Sequence, residues 1–317
     1  GQAETLKKDA AENQAAQGST SGLAKLLYLQ NKFPTAKHAL HQADWIAGNL
    51  CGQFNISDEN NALKTGYDPV QREWPDWLNR LNINKNLLPE VVAPGTNLGT
   101  VTQAISKQFN LPAETKVIAG TTDSIAAFIA TGANKPGDAV TSLGSTLVLK
   151  IISTKPVFNS QYGIYSHRLG KHWLAGGASN SGGAVIKQFF NNKQLDEMTP
   201  LLKPETDTGL NFYPLTKKGE RFPINNPELA PVLDPRPDDD LVFFQAILEG
   251  ISKIEYDGYQ KLHKLGTPLA TSIQTTGRGR CNPACKKIRN IIIGLDIKIA
   301  DHTEACYCSA VIAMQRI

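Results

Sequence analysis

Apolar positions along the chain follow two rhythms, and their alternation sets the element map. From Gly22 to Leu29 the spacing is helical, with Ser19 or Ser21 placed to cap it and Pro34 to close the turn. A second helix is predicted from about Thr35, with Leu40, Ala43, Ala47 and Leu50 on one face and Gly52 just past its end. Residues 57–69 are polar and turn-rich, and a short helix is predicted near Trp74-Pro75-Asp76-Trp77-Leu78. The run from Leu98 to Phe109 reads as a further helix. The strand Val117-Ile118-Ala119 and a small-residue helix from Ile125 to Gly132 follow it.

Ala133-Asn134-Lys135-Pro136-Gly137-Asp138 has the composition of a boundary. Beyond it, β-branched runs predict a strand, a tight turn and a second strand over Ala139–Ser153, then a third strand at His172–Ala178. Ser181-Gly182-Gly183 opens a predicted helix carrying Val185, Ile186, Phe189 and Phe190. Residues 199–240 are proline-rich loop. A long helix is predicted next, since Ile247, Ile251, Ile254, Gly258 and Leu262 fall on one face. A strand at Thr271–Thr276, a glycine turn and a closing helix from Glu304 complete the map. Mixed strands and helices without an internal repeat predict an α/β protein of two domains, 1–136 and 137–317.

The bulk properties narrow the function classes. Of 317 residues, 41% are apolar and 20% charged, as in an ordinary globular chain. The net charge of +4 comes from scattered Lys and Arg, which suits small anionic ligands and lacks the massed charge of a nucleic-acid binder. No stretch reaches the roughly 18 apolar residues of a membrane span, and no signal-peptide pattern is present, so a cytoplasmic location is expected. The first residue is Gly and the opening segment is polar, as in a fragment or a processed product. Five cysteines without framework spacing predict a reducing compartment.

Candidate chemistry concentrates at two turns. Asp123 lies in Gly120-Thr121-Thr122-Asp123-Ser124, straight after an apolar strand, where a carboxylate can accept a proton from an attacking hydroxyl. On local sequence it serves equally well as a cap for the helix that follows. Gly144-Ser145-Thr146 interrupts two β-branched runs; it is either an ordinary hairpin turn or a cradle of N–H groups and hydroxyls for phosphate oxygens. In that order the two turns are what phosphoryl transfer requires.

These residues resemble a known family, the FGGY carbohydrate kinases of the actin-like ATPase superfamily. The resemblance runs from about Gly22 to the end. It is carried by His41-Gln42-Ala43-Asp44-Trp45, Ser57 to Pro69, Gly120–Ser124, Ser142–Thr146, Gly176–Gly183, Glu249-Gly250-Ile251 and His302-Thr303-Glu304-Ala305. Within the family the chain looks most like the xylulokinase-like proteins of cyanobacteria and plant plastids, whose suggested substrate is D-ribulose; a plant or algal source would imply the plastid stroma. The resemblance implies two ribonuclease H-like domains, sugar-binding then ATP-binding, with a cleft between them and the first domain incomplete. It implies a sugar and ATP as partners, with Mg2+, and no nucleic acid or membrane. It assigns Asp123 the general-base role at the sugar, Gly144, Ser145 and Thr146 the phosphate contacts, Gly183 a secondary ATP contact, and Gly277, Gly279 and Asn282 the adenosine loop.

The chain departs from the family pattern in places. The family's opening strand and its Asp-x-Gly-Thr loop are absent before Gly22, and Arg278 and Arg280 break the glycine run of the adenosine loop. Cys285 stands where an aromatic is common and Cys308 where Gly is usual. These departures raise an alternative: a catalytically silent, kinase-like binding or scaffold protein. The spacing of Cys281, Cys285, Cys306 and Cys308 is not that of a usual zinc knuckle. Arg278, Arg280, Lys286, Lys287 and Arg289 read as a solvated basic face. Trp45, Trp74, Trp77 and Trp173 read as core or cleft packing, and His41 as a surface or packing residue.

Overall fold

The computed structural model describes residue 6, residues 15–277 and residues 282–314. The chain divides into two compact units. The first holds the described residues up to Ala130 with His167–Lys171 and those from Glu304 onward; the second holds Thr131–Ser166 and the described part of His172–Thr303.

In the first unit, α1 (Gly22–Lys32) starts where the Ser21 hydroxyl accepts the Ala24 N–H at 3.1 Å. Its face carrying Leu23, Ala24, Leu26 and Leu27 packs on Leu78, Leu81, Ile83 and Leu87. α2 spans Gln42–Cys51 and ends on Gly52 in the left-handed region, as expected. It begins at 42 rather than near 35. Asp44 accepts the His41 N–H at 2.9 Å and fixes the start, while the Ala39 N–H is taken by the Leu87 carbonyl at 2.8 Å. β1 (Ile56–Asp58) runs into the short α3 (Glu59–Ala62) and pairs in parallel with β2 (Glu90–Val92).

The predicted helix at 98–109 divides in two. β3 (Asn97–Thr100) pairs antiparallel with β4 (Lys116–Ile118), and Thr102 then caps α4 (Gln103–Phe109) through the Ile105 N–H. A cross-strand ladder outcompetes helical spacing in its first half. α5 (Asp123–Ala130) packs through Ala126 and Ala130 on Cys308 and Ile312.

The second unit is built on a sheet formed by β5 (Asp138–Leu143), β6 (Leu147–Ser153), β8 (His172–Ser179), β9 (Ser272–Thr276) and β10 (Ile297–Ile299). Their order is β10-β9-β5-β6-β8, and β7 (Tyr165–Leu169) follows β8 in sequence of neighbours. β6 lies antiparallel between β5 and β8, whereas β9 joins β5 in parallel, with Ser142 opposite Thr276. α6 (Gly183–Ile186) is a single turn, shorter than predicted, yet Phe189 and Phe190 still pack edge-on against Phe243. α7 spans Asn192–Met198, and the long α8 spans Asp240–Lys264. Its apolar stripe, Ile247, Ile251, Ile254 and Leu262, joins Leu149, Ile151 and Ile273 of the sheet and Ile288 of α9 (Pro283–Ile293) in one core. α10 (Ala305–Ala313) returns to the first unit.

Two local expectations need correction. Trp45 is 57% exposed rather than packed in a core, and lines an open cavity with His41 and Phe54. Arg289 does not belong to a solvated basic face; it is fully buried and paired with Glu255. Cys308 is buried, packing with Ala126, Ala130 and Ile312.

Candidate functional site

In the first unit, β4 delivers the chain to Asp123 at the start of α5. The Thr122 carbonyl accepts the N–H groups of Ile125 and Ala126, so helix and carboxylate emerge from the same turn. Asp123 is exposed, and its Oδ1 accepts the Ser124 N–H at 2.7 Å. Asp123 is the first residue inside α5, so this bond to the adjacent N–H is not an N-cap, and the exposed side chain stays open to solvent.

The turn ahead of it is held from the side by a residue that sequence reasoning missed. Asn60, buried in α3, donates through Nδ2 to Thr121 Oγ1 at 3.0 Å and to the Arg168 carbonyl at 3.2 Å. Asn60 is placed by Asp58, whose carboxylate accepts the N–H groups of Asn60 and Asn61 and the Asn61 amide. Burial raises the Asp58 pKa against those hydrogen bonds, and burial likewise raises that of Glu59 against Arg72 and Arg168.

Nearby in sequence, His41 Nε2 meets Thr65 Oγ1 at 2.9 Å. Burial, then Lys64 and Lys25, lower its pKa to about 4, while burial raises that of Asp44 to about 6. The polar run Ser57–Asn61 was visible as a motif, but nothing local showed which of its side chains would be buried.

In the second unit the strand pairing brings three glycine-bearing segments together at one end of β5. The Gly144 N–H closes the turn on the Thr146 carbonyl at 3.1 Å, leaving Ser145 and Thr146 exposed at its tip. Neither the Ser145 nor the Thr146 N–H donates to a backbone carbonyl among the described residues. Such N–H groups in a tight turn are suited to anion oxygens.

Gly183 and Ala184 donate to the Gly144 and Ser145 carbonyls at 2.9 and 3.2 Å, so this segment buttresses the turn from behind. Gly182 has φ +148°, and a Cβ there would lie 2.8 Å from the Ser145 oxygen. Gly277, with φ +83°, closes the other side; its Cβ would lie 2.6 Å from the Leu143 oxygen.

Asn282 is the N-cap of α9. Its Oδ1 accepts the Cys285 N–H at 2.9 Å and its Nδ2 donates to Thr199 Oγ1 at 3.0 Å. Gly279, and Arg278 and Arg280 beside it, lie outside the described residues.

A carboxylate in the proline-rich segment also supports this end of the sheet. Glu220, buried, accepts Ser179 Oγ at 2.5 Å and the Asn180 and Arg221 N–H groups at 2.8 Å, with Tyr213 Oη at 3.2 Å. It fixes the strand exit that leads into Ser181, whose carbonyl accepts the Leu147 N–H at 2.8 Å. Glu249, in the motif on α8, accepts Thr208 Oγ1 at 2.5 Å and the Gln245 amide at 3.0 Å, and so pins the start of the same loop. The sequence offered no signal for Glu220, because Ser179 and Asn180, which it holds, lie 41 and 40 positions away.

Comparison with known proteins matches this architecture. The C-terminal domain of the FGGY family of carbohydrate kinases matches residues 139–314. A gluconokinase of Bacillus subtilis is 25% identical over 231 residues, covering 65% of this chain and 44% of the relative. A xylulose kinase of Staphylococcus epidermidis is 24% identical over 299 residues, covering 89% and 59%. Among solved structures, a xylulose kinase from Rhodospirillum rubrum superposes with a TM-score of 0.84 at 18% identity, over 99% of this chain and 68% of that one. The chain thus spans about half the length of the curated relatives it matches. No helix among the described residues is long and apolar enough to cross a membrane. The fold is that of these α/β kinases, and the chain belongs to the FGGY family of carbohydrate kinases.

Proposed function

We propose that the protein is an ATP-dependent sugar kinase whose acceptor is a ketopentose, D-ribulose first and D-xylulose second. The observation that carries this reading is the convergence of Gly144–Thr146, Gly182–Gly183 and Gly277 at one end of β5, where a Cβ at Gly182 or Gly277 would clash with backbone. A site that excludes side chains and offers unused N–H groups fits a polyphosphate. Family membership and the likeness to xylulose kinases support the substrate class.

In this reading Asp123 takes the proton of the acceptor hydroxyl as that oxygen bonds to the γ-phosphorus and ADP departs. Ser145 and Thr146 hold phosphate oxygens through N–H and hydroxyl, and Gly183 keeps their turn in shape. Gly277, with Gly279 and Asn282, borders the adenosine. The Asn282 side chain already serves as a helix cap, so its contribution there is to set the loop's end. Bound Mg2+ would offset phosphate charge.

The sugar-binding role goes to the residues before 137 and the ATP-binding role to those after. A cytoplasmic location, or the stroma for a plastid protein, accords with the free thiols Cys51, Cys285, Cys306 and Cys308.

The test is ADP release with a panel of ketoses and polyols. Turnover highest with D-ribulose and lost in Asp123→Asn is the expected result. ADP release with aldoses or polyols but no ketopentose would overturn the substrate assignment, and no turnover with any acceptor would overturn the kinase reading.

A further inference from the structure

Beneath the glycine-bearing end of the sheet lies an ion pair removed from solvent. Arg289 and Glu255 have side-chain exposures of 1% and 0%. The guanidinium donates through Nε to Glu255 Oε2 at 2.6 Å and through Nη2 to Oε1 at 2.8 Å, a two-pronged contact. Its remaining arm, Nη1, donates to Thr275 Oγ1 at 2.8 Å. On the other side, Thr141 Oγ1 donates to Glu255 Oε1 at 2.5 Å and lies 2.9 Å from Tyr259 Oη.

The positions of these partners give the pair its meaning. Thr141 and Thr275 face each other across the β5–β9 ladder. Two residues further along each strand come Leu143 and Gly277, the backbone contact that joins the phosphate turn to the adenosine segment. Arg289 itself stands on α9, the helix that Asn282 caps. One guanidinium therefore ties together the strand that leads to Gly277 and the helix entered from Asn282. Through Glu255 it also ties both to the strand that leads to Gly144. A buried ion pair is seldom the most stable filling of such a space, since apolar side chains of similar volume are often as good or better. Its directional bonds, unlike apolar packing, specify one spacing between three backbone segments.

We propose that Glu255 and Arg289 are positioning residues of the nucleotide site, holding Gly277 and Asn282 in register with the Gly144–Thr146 turn. Nucleotide affinity would then depend on this buried pair, although neither side chain touches the ligand. This inference rests on the nucleotide-binding reading above.

The test is calorimetric titration of the full chain with ADP, alongside thermal melting and far-UV circular dichroism. Thr275→Val removes the acceptor for Nη1 at nearly constant shape, and Thr275→Ser keeps it. The first is expected to weaken ADP binding at least about fivefold at a temperature where the protein is folded, and the second to bind within about twofold of wild type. The paired substitution Glu255→Leu with Arg289→Met is expected to fold and to lose about tenfold or more in affinity.

A purely structural pair would lower the melting temperature and leave affinity unchanged. Wild-type ADP affinity in folded Thr275→Val overturns the proposal, and the Thr275 variants decide alone if the double variant does not fold. Absence of ADP binding by the wild-type chain overturns the nucleotide-site reading and this proposal with it.

Discussion

A Cβ on Gly277 would lie 2.6 Å from the carbonyl oxygen of Leu143, so the end of β9 and the end of β5 touch backbone to backbone. This contact places Gly277 beside the strand end that leads into the Gly144–Thr146 turn, and only glycine permits it. Gly277→Ala meets two obstacles, the Leu143 oxygen and a φ of +83°. The backbone strain alone costs about 1–2 kcal/mol. The expected result is a destabilisation of at least that size in urea unfolding, together with weaker ADP binding. Wild-type values for both would show that the strands can separate freely.

Asp123→Asn should separate chemistry from structure. Asn can still accept the Ser124 N–H, so the melting temperature is expected to stay within a few degrees of wild type. A general base typically contributes about 10²–10⁴ in rate, and kcat for ADP release with D-ribulose is expected to fall by that range. Affinity for ADP is expected to be unchanged. A kcat within threefold of wild type would remove Asp123 from the chemistry.

Glu220→Ala leaves the Ser179 hydroxyl and the Asn180 and Arg221 N–H groups without their acceptor in a buried place. Each buried donor left unmade costs about 1–3 kcal/mol, so stability is expected to fall by several kcal/mol in denaturant titration. Tyr213 provides a second readout. Burial, then the charge of Glu220 and the hydrogen bond to it, raise its phenol pKa, and removing the carboxylate is expected to lower it in an ultraviolet pH titration. An unchanged phenol titration would show that the two groups are not in contact.

His41 and Asp44 are expected to give opposite pH dependences. The His41 pKa falls from 6.5 to about 4 on folding, so its contribution to stability is complete above pH 6.5 and is lost as pH falls through 4. The Asp44 pKa rises from 3.8 to about 6, so its contribution is complete below pH 3.8 and is lost as pH rises through 6. Between pH 4 and 6 the two slopes oppose each other. Relative to wild type, His41→Gln is expected to become less stable with rising pH across that window, and Asp44→Asn more stable. Urea unfolding at half-unit pH intervals measures both; parallel curves for the three proteins would contradict the assignment.

Elements whose causes are local could be read from the sequence. Ser21 caps α1 and Gly52 ends α2 because these depend on one or two neighbouring residues. The β5–turn–β6 hairpin follows from β-branched runs around a glycine turn, and α8 from a stripe of apolar residues at helical spacing. Asp123 and the Gly144–Thr146 turn stood out as candidates for the same reason, since each is a short, local sequence pattern.

What the sequence could not contain is the pairing of distant segments. The helical rhythm of Leu98–Phe109 was overruled by a ladder with Lys116–Ile118, and Arg289, in a run of basic residues, was drawn inside by a carboxylate 34 positions earlier. Asn60 and Glu220 acquired their places only when Thr121 and Ser179 arrived to bond them. Hydrogen-bonding partners and backbone close approaches are properties of pairs, and where the members lie far apart in the chain, only tertiary packing decides which pairs form.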